Sequence, residues 1–259
     1  MLELNRIYNV DCLVGMKEIP NESIDCIICD LPYGTTNCKW DSVISLKALW
    51  AQYERIIKRE GAIVLFGQEP FSSVVRTSRL PLYRYDWVWQ KERPSNFQLM
   101  GFQNGRVHEN IMIFSKAKAC YVKNGDTMNY YPQTTEREKV RVTNKNTMYG
   151  NNILHDYKGS ANKGEKKTYT DRQPTSIIKC NGVTKKLHPT QKPLELIQYL
   201  IRTYTREGDL VLDNCMGSGT TAIACMAEKR NFLGFELDSK YFDIASRRIA
   251  DYKRQPTMF

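Results

Sequence analysis

The sequence predicts an α/β protein built on a mixed, mostly parallel sheet. Short apolar runs bounded by turn residues alternate with segments whose apolar residues recur every three or four positions. That alternation of strands and helices favours a parallel sheet. Two of the runs end in polar or glycine-containing turns, at Asp30 and after Asp213. In open α/β sheets, such strand ends are where ligands bind.

In the first half of the chain, a short lead-in with a possible helical turn at Leu13–Met16 precedes the first predicted strand. Gly61 is expected to end the first long helix. The predicted elements are a strand at Ile24–Cys29, a helix from about Ser45 to Arg59, and strands at Ile63–Phe66, Tyr85–Trp89 and Ile111–Phe114. We expect Trp87 and Trp89 to pack against the sheet, because alternate residues of a strand share one face.

In the second half, regular periodicity returns after the segment His188-Pro189-Thr190-Gln191-Lys192-Pro193. Pro193 suits the first turn of a helix. The predicted elements are a helix at Leu194–Tyr204, a strand at Asp209–Asp213, a helix at Ala222–Glu228, a strand at Phe232–Glu236 and a final helix beginning at Ser239.

Residues 116–186 lack clear periodicity and contain the excess charge of the chain. The net charge is +10; 16 basic and 6 acidic residues lie between Lys116 and Lys192, and the remainder of the chain is balanced. A structureless loop of that length is unusual in a compact domain, so the segment is predicted to be an irregular insertion or a partly disordered arm. Basic residues interleaved with tyrosines suit phosphate contact and base stacking. A merely solvated basic surface is the alternative.

The composition argues against a membrane protein, a secreted protein and a metal-binding protein. No apolar run is long enough for a membrane span, and the first residues lack a signal-peptide pattern, so a cytoplasmic protein without membrane contact is expected. The 8 cysteines are scattered without zinc-type spacing and are expected to be reduced thiols. The 3 histidines show no ligand spacing either, so no metal is predicted.

Two short segments carry the chemistry. Asp30-Leu31-Pro32-Tyr33-Gly34 places a carboxylate, a rigid proline and an aromatic ring at a strand end, although it could be a plain corner with an exposed tyrosine. Gly217-Ser218-Gly219 follows the strand ending at Asp213, and Glu236 lies 23 residues after Asp213. Strand, glycine loop, helix, strand and acid indicate a nucleotide-like ligand, while a turn with only a packing role is the alternative. No ATP-type phosphate loop is present in the sequence.

These segments resemble the motifs of one enzyme family. Asp30-Leu31-Pro32-Tyr33 resembles the Asp-Pro-Pro-Tyr motif of amino-methylating DNA methyltransferases, and Asp213–Thr221 resembles their S-adenosylmethionine loop. His188–Pro193 resembles the lead-in to their helix. The catalytic motif precedes the cofactor motif, as in the circularly permuted β class, and phage- or prophage-encoded adenine methyltransferases look most similar.

The resemblance implies a Rossmann-like methyltransferase domain at 1–115 and 187–259, with 116–186 as an inserted target-recognition region. It also implies S-adenosylmethionine as cofactor, double-stranded DNA as partner, a possible homodimer, and a bacterial or phage-infected host with restriction-modification as the setting. The implied cofactor residues are Asp213, Asn214, Gly217, Ser218, Gly219 and Thr220 around the methionine part, Lys192 and Pro193 beside its carboxylate, Glu236 at the ribose, Asp11 and Cys12 at the adenine, and Asp30 between cofactor and target.

The implied chemistry explains the residue types of the first motif. The lone pair of an exocyclic base amine is delocalised into the ring, and acceptors for its two N–H groups localise that pair. Asp30 and the carbonyl of Leu31 would be the acceptors, Pro32 would stiffen the turn, and Tyr33 would stack on a flipped base. Leu31 replaces a proline and Asn214-Cys215 replaces Pro-Phe in the family pattern, so the packing of the cofactor wall differs.

Asp at position 30 favours adenine N6 over cytosine N4 as the methylated amine. Other possibilities are an RNA or protein-glutamine methyltransferase, which usually has Asn in place of Asp30, and a catalytically silent DNA-binding module. Four lysines of the basic segment are predicted to contact DNA phosphates: Lys166, Lys167, Lys185 and Lys186.

Overall fold

The computed structural model of the chain describes residues 2–34, 44–120, 122, 125–144, 166–183, 187–188 and 190–254, without the side chains of 139, 141–144 and 166–167. The chain divides into two compact units, one of residues 1–131 with 176–259 and one of residues 132–175. The smaller unit lies inside the segment 116–186 that the sequence sets apart. The stretches flanking it on both sides belong to the larger unit.

Ten strands and six α-helices occur in the described residues. The strands are β1 (Arg6–Tyr8), β2 (Ile24–Cys29), β3 (Ile57–Gly67), β4 (Tyr83–Gln90), β5 (His108–Phe114), β6 (Thr135–Asn144), β7 (Lys166–Arg172), β8 (Ile177–Lys179), β9 (Leu210–Asp213) and β10 (Asn231–Phe235). The helices are α1 (Cys12–Gly15), α2 (Leu46–Ile56), α3 (Phe71–Ser78), α4 (Leu194–Tyr204), α5 (Thr220–Ala227) and α6 (Ser239–Arg254). None of these helices is long and apolar enough to cross a membrane.

Eight strands form the sheet of the larger unit, in the order β1-β10-β9-β2-β3-β5-β4-β8. The strands from β1 to β3 are mutually parallel, and β8 is parallel to β4. Only β5 runs antiparallel to its neighbours β3 and β4. The predicted α/β class with a mixed, mostly parallel sheet is therefore confirmed.

Both faces of the sheet are covered by helices, because alternate residues of each strand point to opposite sides. Cys26 and Ile28 of β2 pack with buried residues of α4, α5 and α6 on one face. Ile27 and Cys29 pack with buried residues of α2 and α3 on the other face. The sheet therefore has two apolar layers, one on each side, and β2 is buried along its whole length.

The helix–strand boundary predicted at Gly61 is wrong. Helix α2 ends at Ile56, and β3 runs through Gly61 as one strand. In the pairing with β2, Ile24 lies opposite Ile57 and Cys26 lies opposite Ala62, so β3 bulges between these positions. A Cβ atom at Gly61 would be 2.7 Å from the backbone oxygen of Asp25. Glycine is therefore required by this close approach and does not end the helix.

The predicted packing of the two tryptophans of β4 is confirmed. Trp87 and Trp89 are both 3% exposed, and both lie in the layer that contains α4. The indole N–H of Trp87 donates to the Tyr204 hydroxyl at 2.6 Å, and that of Trp89 donates to the Cys180 carbonyl at 2.8 Å. Both rings are structural in this fold.

Three short or polar strand regions were not predicted from the sequence. The edge strands β1 and β8 have only three residues each, too few to show a period. In the smaller unit, β6 and β7 form a two-stranded antiparallel sheet with a register shift between Glu136 and Arg141. Its polar and charged composition lacks the apolar alternation by which strands are detected.

Candidate active site

The turns after β2 and β9 lie side by side at one edge of the sheet. In the parallel pairing of these strands, Cys26 lies opposite Val211 and Ile27 lies opposite Leu212. The chain segments that follow, beginning at Asp30 and Asn214, therefore leave the sheet at the same end. This is the edge at which open α/β sheets place their ligands.

A cleft of about 660 Å³ opens at this edge. It brings together segments that are far apart in the sequence, including the start of α1, the β2 turn, the segment before α4, the loop after β9 and the end of β10. Most of the residues predicted for the site line it, namely Asp11, Cys12, Asp30, Leu31, Pro32, Tyr33, Lys192, Asp213, Asn214, Gly217, Ser218, Thr220 and Glu236. Pro193 and Gly219 lie directly before α4 and α5 and are not among the lining residues.

Asp213 ends β9 as a buried carboxylate that accepts hydrogen bonds from neutral donors. Its oxygens accept from the Cys215 backbone N–H at 3.0 Å and from the Thr221 hydroxyl at 2.6 Å. Burial raises the pKa of Asp213 to about 7, because these two hydrogen bonds offset only part of the desolvation and the charges of Asp30 and Glu236 raise it further. Among the described residues, no cationic side chain forms an ion pair with Asp213, and none is among the main causes of the shift in its pKa.

The glycine loop after β9 is held tightly against α6. Gly219 has a φ of +82°, and a Cβ atom there would lie 3.0 Å from the Cβ of Ala245. The Arg248 guanidinium donates to the backbone oxygen of Ser218 from the same helix. Because the loop is fixed in this way, its backbone groups keep their position at the cleft.

Glu236 follows β10 and closes the loop from the opposite side. Its carboxylate accepts from the backbone N–H groups of Gly217 at 2.7 Å and Asp238 at 2.9 Å. Burial raises the pKa of Glu236, and these N–H groups counteract part of that effect. The spacing of 23 residues from Asp213 therefore does bring the acid to the glycine loop.

Asp11, Cys12 and Asn214 form another wall of the cleft. Asp11 caps α1 by accepting from the backbone N–H of Leu13 at 2.8 Å. A hydrogen bond with the Cys215 thiol lowers the pKa of Cys12, although its burial acts in the opposite direction. Asn214 accepts from the Tyr53 hydroxyl at 2.5 Å. Asn214-Cys215, which stands where the motif that this segment resembles has Pro-Phe, is thus held in the wall by hydrogen bonds with Tyr53 and Cys12.

Asp30 at the end of β2 is a partly buried carboxylate with two partners. Lys192 Nζ donates to Oδ2 at 2.5 Å, and the Tyr33 hydroxyl donates to Oδ1 at 2.8 Å. The ring of Tyr33 also packs on Phe71, with centroids 4.7 Å apart and an interplanar angle of 30°. Burial is the main cause of the raised pKa of Tyr33, and the nearby charge of Asp30 adds to it. Tyr33 is therefore protonated and serves as a donor to Asp30.

A buried charge network next to Asp30 was not predicted from the sequence. Glu109 of β5 is 6% exposed and accepts from Gln68 at 3.0 Å and from Lys91. Lys192 lies between this carboxylate and Asp30, with its Nζ 3.4 Å from Glu109 Oε2. Burial alone would lower the pKa of Lys192, but the charges of Asp30 and Glu109 raise it, so Lys192 is a cation.

One sequence signal does point to this network in hindsight. Glu109 is an acid placed next to a continuous apolar run, since β5 reads His-Glu-Asn-Ile-Met-Ile-Phe. A charged residue that enters the sheet beside such a run requires a partner. Its identity could not be inferred, because Gln68, Lys91 and Lys192 come from three separate segments.

The predicted DNA-contacting lysines fall outside what the structure describes. Lys166 and Lys167 belong to β7, but the positions of their side chains are not described, and Lys185 and Lys186 are not described at all. Their contact with phosphate therefore stays a prediction. Within the described residues, no group of three or more His, Cys, Asp or Glu side chains is arranged to hold a metal ion.

Comparisons with known proteins place the chain among methyltransferases. The chain is 29% identical to the type II methyltransferase M1.MboII of Moraxella bovis over 95% of this chain and 96% of that protein. It is also 29% identical to the type II methyltransferase M.HinfI of Haemophilus influenzae, over 98% of this chain and 70% of that protein.

Solved structures show the same fold at lower identity. The M1.HpyAVI–SAM complex matches with a TM-score of 0.60 and 22% identity, covering 94% of this chain and 98% of that chain. The cytosine-N4-specific PvuII DNA methyltransferase matches with a TM-score of 0.64 and 15% identity, covering 96% and 91%. The larger unit therefore has the Rossmann-like fold of DNA methyltransferases.

The match to a family model covers most of the chain. The model of the N6/N4 DNA methylase family aligns with residues 24–247, which include the turn at Asp30, the glycine loop and Glu236. Together with the relatives above, this match identifies the chain as a member of the N6/N4 DNA methylase family.

Proposed function

We propose that the protein uses S-adenosylmethionine to methylate the N6 amine of adenine in duplex DNA, after the base has flipped out of the helix. The observation that carries the proposal is the position of Asp30, a carboxylate that lines the same cleft as the glycine loop after β9. Family membership supports methyl transfer to DNA. The preference for adenine rests on the resemblance of Asp30–Tyr33 to the motif of amino-methylating enzymes.

The polar groups of the cleft fit S-adenosylmethionine. The hydroxyl oxygen of Thr220 is buried and has no hydrogen-bond partner among the described residues, so a ligand can supply one. No described cationic side chain pairs with Asp213, and the ammonium group of a methionine moiety would provide that charge. Asp213 and the loop Asn214–Thr220 would hold this moiety, Lys192-Pro193 would lie near its carboxylate, Glu236 would bind the ribose, and Asp11 with Cys12 would meet the adenine.

Asp30 would activate the amine of the target base. When bound, S-adenosylmethionine would supply a methyl group on a positively charged sulfur: the amine lone pair would bond to the methyl carbon while the carbon–sulfur bond breaks and leaves a neutral thioether. Asp30 and the Leu31 carbonyl would accept the two N–H groups and so direct the lone pair out of the base plane. After transfer, the nitrogen carries one surplus proton, which the Asp30 carboxylate would attract before the proton is released to water.

Tyr33 and Pro32 would set the geometry of this turn. The Tyr33 hydroxyl already orients Asp30, and its ring, packed on Phe71, would offer one face to the base. Leu31 is 3% exposed, so its side chain belongs to the apolar layer and its backbone carbonyl is the group to consider. A base inside a duplex cannot reach this turn, which is why base flipping is part of the proposal.

DNA phosphates would be bound by the basic segment 116–186. Replacing Lys166, Lys167, Lys185 and Lys186 by Gln is expected to weaken DNA binding and to flatten its dependence on salt, because fewer counterions are released. The matched control replaces four exposed lysines of the larger unit, Lys17, Lys47, Lys229 and Lys253, by Gln. An unchanged salt slope in the first variant would show that these four lysines do not contact phosphate.

Nucleoside analysis of DNA methylated by the protein tests the proposed function. DNA from an expressing host without its own methyltransferases is digested, and its nucleosides are measured by mass spectrometry. We expect N6-methyladenine, which should be absent with the Asp30→Ala variant, while that variant binds the cofactor only modestly less well. Sequencing of the same DNA for methylated positions would also give the target sequence.

Two other outcomes have defined meanings in this experiment. N4-methylcytosine without N6-methyladenine would replace adenine by cytosine as the substrate, an alternative that the N6/N4 family also includes. DNA binding without any methylated nucleoside would indicate a catalytically silent DNA-binding module.

A further inference from the structure

Lys192 lies between two buried carboxylates at the cleft. Its Nζ is 2.5 Å from Asp30 Oδ2 and 3.4 Å from Glu109 Oε2, and the three side chains are 9%, 16% and 8% exposed respectively. The ammonium is also 5.0 Å from the centroid of the Phe66 ring. A cation in this position can be shared by the two acids with only a small displacement.

The two oxygens of Glu109 differ in their partners. Oε1 accepts from Gln68 and Lys91, which fix the carboxylate in place. Oε2 is buried and forms no hydrogen bond with any described residue, although Lys192 is nearby. A buried carboxylate oxygen without a hydrogen bond is unfavourable, so Oε2 is an open acceptor facing Lys192.

Asp30 has the opposite arrangement, because both of its oxygens accept hydrogen bonds within the protein. Tyr33 donates to Oδ1 and Lys192 donates to Oδ2. An ammonium on Oδ2 neutralises much of the negative charge with which Asp30 would attract the N–H group of a base amine. The contact that stabilises Asp30 here therefore competes with the proposed substrate.

We propose that Glu109 is a positioning residue that takes the Lys192 ammonium from Asp30 when the target amine enters, so that Asp30 Oδ2 is free to accept the amine N–H. Lys192 stays protonated in both positions, and no proton or covalent bond changes in the exchange. Two lysines, Lys91 and Lys192, balance the two acids before and after it. The net charge of the four groups is therefore unchanged, and Asp30, which loses its cation, is held by the Tyr33 hydroxyl and the incoming amine.

The Glu109→Gln variant tests this exchange because it keeps the shape of the side chain and removes its charge. In that variant Lys192 remains on Asp30, so we expect single-turnover methyl transfer to slow by roughly tenfold to a hundredfold, as for a misplaced reacting group. Glu109 does not line the cleft, so the affinity for S-adenosylmethionine should stay close to that of the wild type. The matched control is Glu92→Gln, which neutralises an exposed acid directly after Lys91 in the sequence.

A binding measurement gives a readout that a merely structural role of Glu109 would not change. The experiment measures the affinity of the protein for two DNA duplexes, with the unreactive cofactor analogue sinefungin bound. One duplex carries the target base, and the other carries the same base without its amine. The wild type should favour the amine by roughly tenfold, as expected for a hydrogen bond to a charged acceptor. Glu109→Gln should bind both duplexes equally, and Glu109→Asp, which keeps the charge but withdraws it from Lys192, should lie between.

The double variant Glu109→Gln/Lys192→Gln sharpens the test, since it also removes the cation that occupies Asp30. Because Lys192 is also placed near the methionine carboxylate, the rates are compared at saturating S-adenosylmethionine, where the double variant should transfer methyl groups faster than Glu109→Gln alone. A slower double variant, or a single variant that discriminates the amine as the wild type does, would overturn the exchange. Because this inference rests on the proposed methyl transfer, the two fail differently: an inactive wild type contradicts the function, whereas an active wild type with an unaffected Glu109→Gln contradicts only the exchange.

Discussion

Glu109 and Asp213 lie on two sides of the same site and are buried to the same degree, yet their pKa values are shifted in opposite directions. They are 6% and 5% exposed. Burial raises the pKa of both, but the charges of Lys192 and Lys91 outweigh it at Glu109 and lower that pKa to about 2. At Asp213, to which only a hydroxyl and a backbone N–H of the described residues donate, the pKa rises to about 7.

From this difference we infer that the site would separate its two proposed ligands by charge. The side with Asp30 and Glu109 contains its own two lysines and is electrically balanced, which suits a neutral base amine. At Asp213 no described side chain supplies a cation, so that side would suit a ligand that brings one, such as the ammonium of the proposed methionine moiety. We expect substitutions on the first side to change methyl transfer and those on the second to change cofactor binding.

The largest effect is expected for Asp30→Asn. Removing the charged acceptor of the amine should slow methyl transfer by about a thousandfold, or about 4 kcal/mol of transition-state stabilisation. Cofactor affinity, measured by calorimetry, should change little. Asp243→Asn, at an exposed acid of α6, is the control. Activity within tenfold of the wild type would contradict the assignment of Asp30 as the amine acceptor.

The next largest effect concerns the free energy of unfolding at low pH, to which Glu109 contributes. The folded-state pKa of Glu109 is about 2, below the unfolded value near 4.5, so its contribution is present above pH 4.5 and is lost as the pH falls toward 2. This corresponds to about 3 kcal/mol. Urea denaturation at several pH values should show that loss in the wild type and a flatter dependence in Glu109→Gln. Parallel curves for the two proteins would mean that another acid is responsible.

Cofactor binding at Asp213 should depend on pH near neutrality. Asp213 has a folded-state pKa of about 7 and is largely protonated below that value, and binding of an ammonium requires the ionised form. The affinity for S-adenosylmethionine should fall by roughly tenfold between pH 8 and pH 6. Asp213→Asn should bind more weakly at pH 8 and lack this dependence. An equal pH dependence in the variant would place the titrating group elsewhere.

The positions of the acids that line the cleft could be predicted, because each follows from a short segment of the sequence. Asp30 and Asp213 each end an apolar run, and parallel strands bring such ends to one edge, so both acids could be placed in one site before any coordinates. Glu236 was placed by its spacing in the same way. These predictions needed only periodicity, turn residues and chain direction.

The compensating charges could not be predicted, because they depend on register across the sheet. Glu109 meets its partners through the pairing of β5 with both neighbours, since Gln68 follows β3 and Lys91 follows β4. Lys192 reaches it from a segment that is distant in the sequence. The prediction that Gly61 ends a helix was wrong for a related reason. Glycine is required there by the close approach of the Asp25 backbone across the sheet, which the neighbouring sequence does not reveal.

The smallest effects come from removing one hydroxyl on each side, and their separation is the strictest test of the contrast. Tyr33→Phe and Thr221→Val each delete a hydroxyl that donates to one carboxylate, Asp30 or Asp213, while keeping the shape of the side chain. Each should cost about 1 kcal/mol, a factor of about five. Tyr33→Phe should lower the methyl-transfer rate with cofactor affinity intact, whereas Thr221→Val should weaken cofactor binding with the rate at saturation intact. If both variants changed both quantities equally, the two carboxylates would act as one coupled site, and the division of the cleft by charge would be wrong.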